Sequence, residues 1–154
     1  MPPISAGCLV AREVDGRVEV LLVHARRAGF RRPLFGIPKG LLEDDEELEA
    51  CACRETLEET GLRVQIRGSL GSVRQKSGKV VHAFWATLDT SSPAAIDEHG
   101  RCLAHDWEND ICRFYPLEEA YEIMIPAQRE FLDRLKKVLG FTGTSTSRAD
   151  VARR

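Results

Sequence analysis

Apolar and polar residues alternate loosely over 5–14, and that alternation predicts a strand. Asp15-Gly16 follows as a hairpin-turn pair. The run "VEVLLVH" over 18–24 then predicts a largely buried partner strand. A basic loop, 25–33, carries four arginines, and 34–37 reads as a short strand stopped by Pro38. Apolar spacings of three and four predict a helix over 46–60, with Asp44 or Asp45 to cap its start and Gly61 suited to the left-handed position after its end. Two further strand-like runs, 62–75 and 79–88, meet across Ser77-Gly78, another hairpin signal. A long polar connection, 90–109, leads to a strand at 111–115 and to closing helices at 117–123 and 127–139. Mixed strands with one central and two closing helices predict an α/β or α+β layered domain.

Length changes the picture only by limiting it. A chain of 154 residues suits one domain, expected over 1–141. The last stretch, 142–154, is rich in Thr, Ser and Arg, has little to bury, and reads as a flexible C-terminal tail. The formal charge of −2 argues against a nucleic-acid polymer as partner, since general binders carry a basic excess. A small phosphorylated ligand needs only a local basic patch. The five cysteines are scattered, with no C-x-x-C pair, which disfavours both a disulfide framework and a zinc site. With no signal-peptide pattern and no apolar run of membrane length, the expected location is cytoplasmic.

The chemistry concentrates in "GLLEDDEELEACACRETLEETGL", residues 40–62. On a helix, Leu48, Cys51, Ala52, Glu55 and Glu59 share one side, with Glu58 beside them. Ala50, Cys53 and Leu57 form a second apolar stripe, so the helix reads as packed on two sides. An acidic face on a charge-rich helix is ordinarily just solvated. Here like charges at three- and four-residue spacing cost roughly 0.2–0.5 kcal/mol per pair. Arg54 offsets part of that repulsion from one side. A hard divalent cation with oxygen ligands fits three carboxylates held near a packed surface, and it would also neutralise phosphate charge and activate water.

The spacing has a fixed form: Gly40, five residues, Glu46, seven residues, then Arg54, Glu55, Glu58, Glu59, Gly61 and Leu62. This resembles the signature of the Nudix hydrolases. One position departs, because Thr56 stands where a bulky apolar residue is expected. The likeness extends to "SAGCLV", "VLLVHARR" and "FGIPKG" before the box and to "YPLEEA" after it, roughly 5–139 in all. It implies an α/β/α sandwich with a mixed sheet and the box helix between layers. It also implies a metal-dependent pyrophosphohydrolase acting on a diphosphate linkage, with magnesium as cofactor and manganese as the alternative. Bacterial nucleoside-triphosphate pyrophosphohydrolases and dinucleoside-polyphosphate hydrolases are the nearest likenesses, and diphosphoinositol-polyphosphate hydrolases come next. Homodimers are common among such proteins.

By that resemblance Glu58 and Glu59 are metal carboxylates, and the Gly40 carbonyl is a further ligand. Glu55 either orients and deprotonates the attacking water or shares a metal. Arg54 fixes a neighbouring glutamate or touches phosphate. Glu46 is expected to be structural, pairing with Arg54 or bonding loop amides. Glu108 is preferred over Asp106 and Asp110 as the acid supplied from outside the box, and Trp107 beside it is expected to pack against the loop. Lys39, a point charge beside a metal site, is expected to contact phosphate. Around the 75–79 hairpin, Arg74 and His82 are the candidates to face the substrate, whereas Lys76 and Lys79 are expected to be exposed at the turn. Of Arg26, Arg27, Arg31 and Arg32, one or two are expected to reach phosphates. Two readings from other classes stand beside the hydrolase: a nucleotide-binding sensor that keeps the fold without the chemistry, and an interaction module using the basic loop or tail.

Overall fold

The computed structural model describes residues 2–28, 34–91, 96–103 and 108–140. Its strands are β1 (Ile4–Val14), β2 (Arg17–Ala25), β3 (Lys39–Leu41), β4 (Val64–Arg74), β5 (Val80–Leu88) and β6 (Asn109–Pro116). Its helices are α1 (Leu48–Thr60), α2 (Leu117–Ile123) and α3 (Arg129–Leu139). The expected tail, 142–154, lies outside the described residues.

The strand order is β4-β5-β1-β2-β6, with β3 added to β1 off this path. All neighbours run antiparallel except β1 and β5, so the sheet is mixed. β1 organises it. One edge pairs with β5 from Ile4 to Val10. The other edge pairs first with β3, through Ser5 to Gly7, and then with β2, through Ala11 to Val14. Because β1 is covered on both faces, most of its length is buried, as its near-continuous apolar run requires. The Asp15-Gly16 turn has positive φ at both residues (51° and 79°), the geometry a tight two-residue hairpin demands.

Side chains alternate between the two faces. One face packs Leu9, Leu22, Val81 and Ala83 against Leu117 of α2 and Phe131 and Leu135 of α3. The other packs Cys8, Leu21 and Phe84 against Cys51, Ala52 and Leu62 of the α1 segment. The expected α/β/α layering is therefore present. α1 buries one side only. Ala50 and Leu57 are exposed, which corrects the expected second apolar stripe and makes α1 an outer layer whose far side meets solvent.

Thr56, the departure from the box, is fully buried; its hydroxyl donates to the Ala52 carbonyl at 2.7 Å, so its polar atom is satisfied within the helix. Gly61 ends α1 in the left-handed region (φ 75°) and returns its N–H to Leu57 O. The start differs from expectation. Glu47 is the N-cap, without a side-chain bond, and Asp45 instead takes a positive φ of 61° in the turn before it. The strand expected at 34–37 is reduced to single bridges at Phe35 and Gly36, and the paired strand begins after Pro38. Proline lacks only the donor: its carbonyl still accepts from Cys8 N at 3.3 Å.

Gly7 permits this junction. A Cβ there would overlap the Pro38 carbonyl and the Lys39 side chain. We expect Gly7→Ala to lower unfolding free energy by about 1–3 kcal/mol in urea titration, the usual cost of overpacking, and a wild-type midpoint would contradict this contact.

Candidate active site

The short strand β3 and the second half of α1 meet at the mouth of a cleft of about 920 Å3. β3 brings Lys39 and Gly40 to its rim, and α1 brings Glu55, Glu58 and Glu59. Glu108 and Asn109, at the start of β6, form part of the wall. The floor includes Gln128, immediately before α3. Strand order explains the meeting: β3 lies against β1, and α1 packs over both.

Arg54 is the electrostatic centre of the rim. Its Nε and Nη2 fork onto the two oxygens of Glu46 at 2.8 and 2.9 Å. Its Nη1 reaches Glu55 and Glu58, each at 3.3 Å. The Arg54 guanidinium holds the Glu46 carboxyl down at about 2, and Glu46 also accepts the Glu43 N–H at 3.1 Å. Both structural roles expected of Glu46 are thus realised. Arg54 does not line the cleft itself; it positions the acids that do.

Gly40 lies so close to Glu55 that a Cβ would collide with that carboxylate. The glycine is needed for this approach of backbone to side chain. Glu59 is more deeply held. It accepts the Lys39 backbone N–H at 2.8 Å and the Asn109 side-chain amide at 3.1 Å. Burial raises its carboxyl to about 7, against an ordinary 4.5, despite these two donors. Burial and then the nearby Glu58 charge raise Glu55 as well. Burial lowers Lys39, and the neighbouring Lys79 and Arg27 charges lower it further.

Oxygen atoms alone could serve a metal here: those of Glu55, Glu58, Glu59 and Glu108 and the Gly40 carbonyl, from residues that all line the cleft. Such a set suits a hard divalent cation such as magnesium or manganese. Among the described residues no three acidic, histidine or cysteine side chains converge into a metal-holding group; each box carboxylate is turned towards Arg54, Lys39 or Asn109. Burial pushes Cys8 up to about 12 and Cys51 to about 11, which keeps both as thiols and disfavours a cysteine nucleophile.

The structure redistributes the other expected residues. Arg26 and Arg27 line the cleft; Arg31, Arg32, Asp106 and Trp107 lie outside the described residues. Asp110 turns instead to buried His24, 2.7 Å away. Arg74 and His82 do not line the cleft. Arg74 is exposed and bonds the Gly78 carbonyl across its own hairpin at 3.4 Å. His82 meets Ser69 at 3.1 Å and the ring of Phe84 at 4.9 Å on the α1 face. Lys79, expected to be exposed, is half-buried in the cleft. Strand parity is the reason: Val81 and Ala83 share Lys79's face, whereas His82 shares that of Phe84. The doublet Val80-Val81 hides this parity in the sequence. Asn109 and Gln128 were not anticipated either. Gln128 is fully buried and bridges Ile37 N (2.9 Å) to the Gln75 side chain (3.0 Å), and no local pattern marks it.

With this geometry in place, comparison with known proteins is informative. The family model for the NUDIX domain matches residues 1–135. Nudix hydrolase 4 of Arabidopsis thaliana is 32% identical over 135 residues, which cover 77% of this chain and 63% of that protein. The chain thus spans under two thirds of that relative. Mouse diphosphoinositol polyphosphate phosphohydrolase 3-alpha is 27% identical over 139 residues, 85% of this chain and 76% of that one. Among solved structures, a C. elegans Ap4A hydrolase binary complex superposes with a TM-score of 0.71 at 22% identity, covering 89% of this chain and 99% of that one, which establishes a common fold.

The raised Glu59 carboxyl has a consequence for stability. Folding favours its proton, so ionising it costs stability that grows as pH rises from 4.5 to about 7 and is complete above that. Glu59→Gln removes this cost, and Asn109 can turn its amide to match. In chelator we expect Glu59→Gln to melt above wild type at about pH 8, with the advantage shrinking to nothing as pH falls to about 4.5. A melting difference independent of pH would count against the buried-carboxylate account.

Proposed function

The chain belongs to the NUDIX domain family, and from that premise we propose that it hydrolyses a diphosphate linkage in a nucleoside-diphosphate-linked substrate with the aid of a divalent cation. The observation that carries this reading is the cleft itself, which sets the acids Glu55, Glu58 and Glu59 beside the basic groups of Lys39 and Lys79. Nucleoside triphosphates and dinucleoside polyphosphates are the first candidates. A diphosphoinositol polyphosphate is the alternative, suggested by the name of the mouse relative.

Glu58, Glu59, Glu108 and the Gly40 carbonyl would hold the cation, magnesium or manganese. When bound, such an ion neutralises phosphate charge and lowers the pKa of a water. Glu55 orients the attacking water and takes its proton; burial and then the Glu58 charge raise its pKa, and so its basicity. Lys39 binds a phosphate oxygen. Arg54 is a positioning residue, holding Glu55 and Glu58 while Glu46 holds it. The water oxygen bonds to one phosphorus of the bridge, the bridging P–O bond breaks, and a phosphate or nucleotide leaves. Phosphoryl chemistry of this kind rests on positioning and charge neutralisation, which the acidic and basic walls supply together.

The test is phosphate and pyrophosphate release from a panel: nucleoside triphosphates, dinucleoside polyphosphates, a nucleotide sugar and a diphosphoinositol polyphosphate. We expect turnover of at least one compound with magnesium, none in chelator, and a loss of about 100-fold or more in Glu58→Gln. No turnover by wild type, with nucleotide binding unchanged in the mutant, would replace the hydrolase with a binding module.

Arg54 gives a second, separable expectation. Glu46→Gln breaks the fork without touching the cleft, so we expect kcat to fall about tenfold while the fold survives. A wild-type kcat would deny the positioning role.

A further inference from the structure

The cleft has a second half that the family signature does not describe. It runs from the carboxylates along the face of the sheet that carries α2 and α3, and Ser5, Lys79 and Gln128 line it. Strand geometry places these residues. Ser5 pairs with Leu41 of β3 on one side of β1 and with Val81 of β5 on the other. Lys79 immediately precedes β5, where the Val80 N–H bonds the Pro3 carbonyl at 3.0 Å. Its side chain falls on the face of Val81 and Ala83, and the half-buried residue lines the cleft. Lys76, on the same hairpin, is exposed and does not line it. Lys39, on β3, lines the same cleft.

We propose that Lys79 is a specificity-determining residue that binds a phosphate of the substrate other than the one attacked. The inference rests on the hydrolase reading for its biological meaning, but its chemistry stands alone. Two lysines and three carboxylates lining one cleft match an extended anion whose reacting phosphate lies among the acids. A chain of phosphates therefore suits the cleft better than a single phosphate. A lysine ammonium recognises phosphate as a point charge and tolerates varied chain geometry. Gln128 carries no charge, and its amide already bonds Ile37 and Gln75.

The experiment uses the full chain with inorganic tripolyphosphate as probe, titrated by calorimetry in magnesium buffer. Wild type is compared with Lys79→Met, Lys79→Arg and Lys76→Met, with melting temperatures to show that each folds. We expect Lys79→Met to weaken binding about tenfold, the usual loss for one charge-assisted contact, while Lys79→Arg and Lys76→Met stay near wild type. In turnover the same loss falls on KM rather than kcat, and it is larger for polyphosphate substrates than for a nucleotide sugar. Three results overturn the proposal: no tripolyphosphate binding by wild type, unchanged affinity in Lys79→Met, or equal weakening in Lys79→Met and Lys76→Met. The last would mark a general field effect of the hairpin. If the affinities shift as expected while no panel compound is hydrolysed, Lys79 keeps its role and the hydrolase reading falls.

Discussion

Carboxylates crowded onto one turn of helix repel, and here Arg54 is the cation that holds them. It touches Glu43 at 3.8 Å, Glu46 at 2.8 Å, and Glu55 and Glu58 at 3.3 Å. Only the Glu46 contact is a close two-point fork, so Glu46 fixes the guanidinium and the guanidinium then fixes the others. This hierarchy gives the seven-residue interval between Glu46 and Arg54 a physical meaning. The loop before α1 must fold back so that Glu46 meets Arg54 in the second turn of the helix. Asp45 takes a positive φ at that bend, and the Glu43 N–H closes the turn onto Glu46.

The sheet supplies what the helix cannot. β1 carries β3 on one edge and β5 on the other, so the lysines that flank those strands reach one cleft from different parts of the chain. Glycine at position 7 lets β3 lie close, and glycine at position 40 lets its backbone meet Glu55. The result is a cleft lined by acids drawn from a helix and by lysines drawn from strand ends.

Local signals predicted the hairpin at Asp15-Gly16, the helix ended by Gly61 and α2 to the residue, while the α/β/α order followed from the family resemblance. The box acids were legible because their spacing is fixed within one helix. What failed depended on parity or on long-range contact. Val80-Val81 conceals which face β5 presents, so His82 and Arg74 were placed in the cleft and Lys79 outside it. Two-sided packing of α1 was inferred from Ala50, Cys53 and Leu57, yet a stripe of small or single apolar residues does not require a partner, and Ala50 and Leu57 are exposed. Gln128 gave no sign at all, since its partners, Ile37 and Gln75, lie 91 and 53 residues away.

Glu59 and Lys39 are neighbours whose buried surroundings push one carboxyl up and one ammonium down, each away from its charged form. Each charge favours the other, but burial outweighs that attraction, and the short bond to Glu59 comes from the Lys39 backbone. A sequence selected for stability alone would replace either group with an apolar one. Apolar cores on both faces of the sheet make the cost bearable. Glu59 thus sits beside the other acids of α1, held by a backbone N–H and a side-chain amide, while Lys39 and Lys79 line the same cleft.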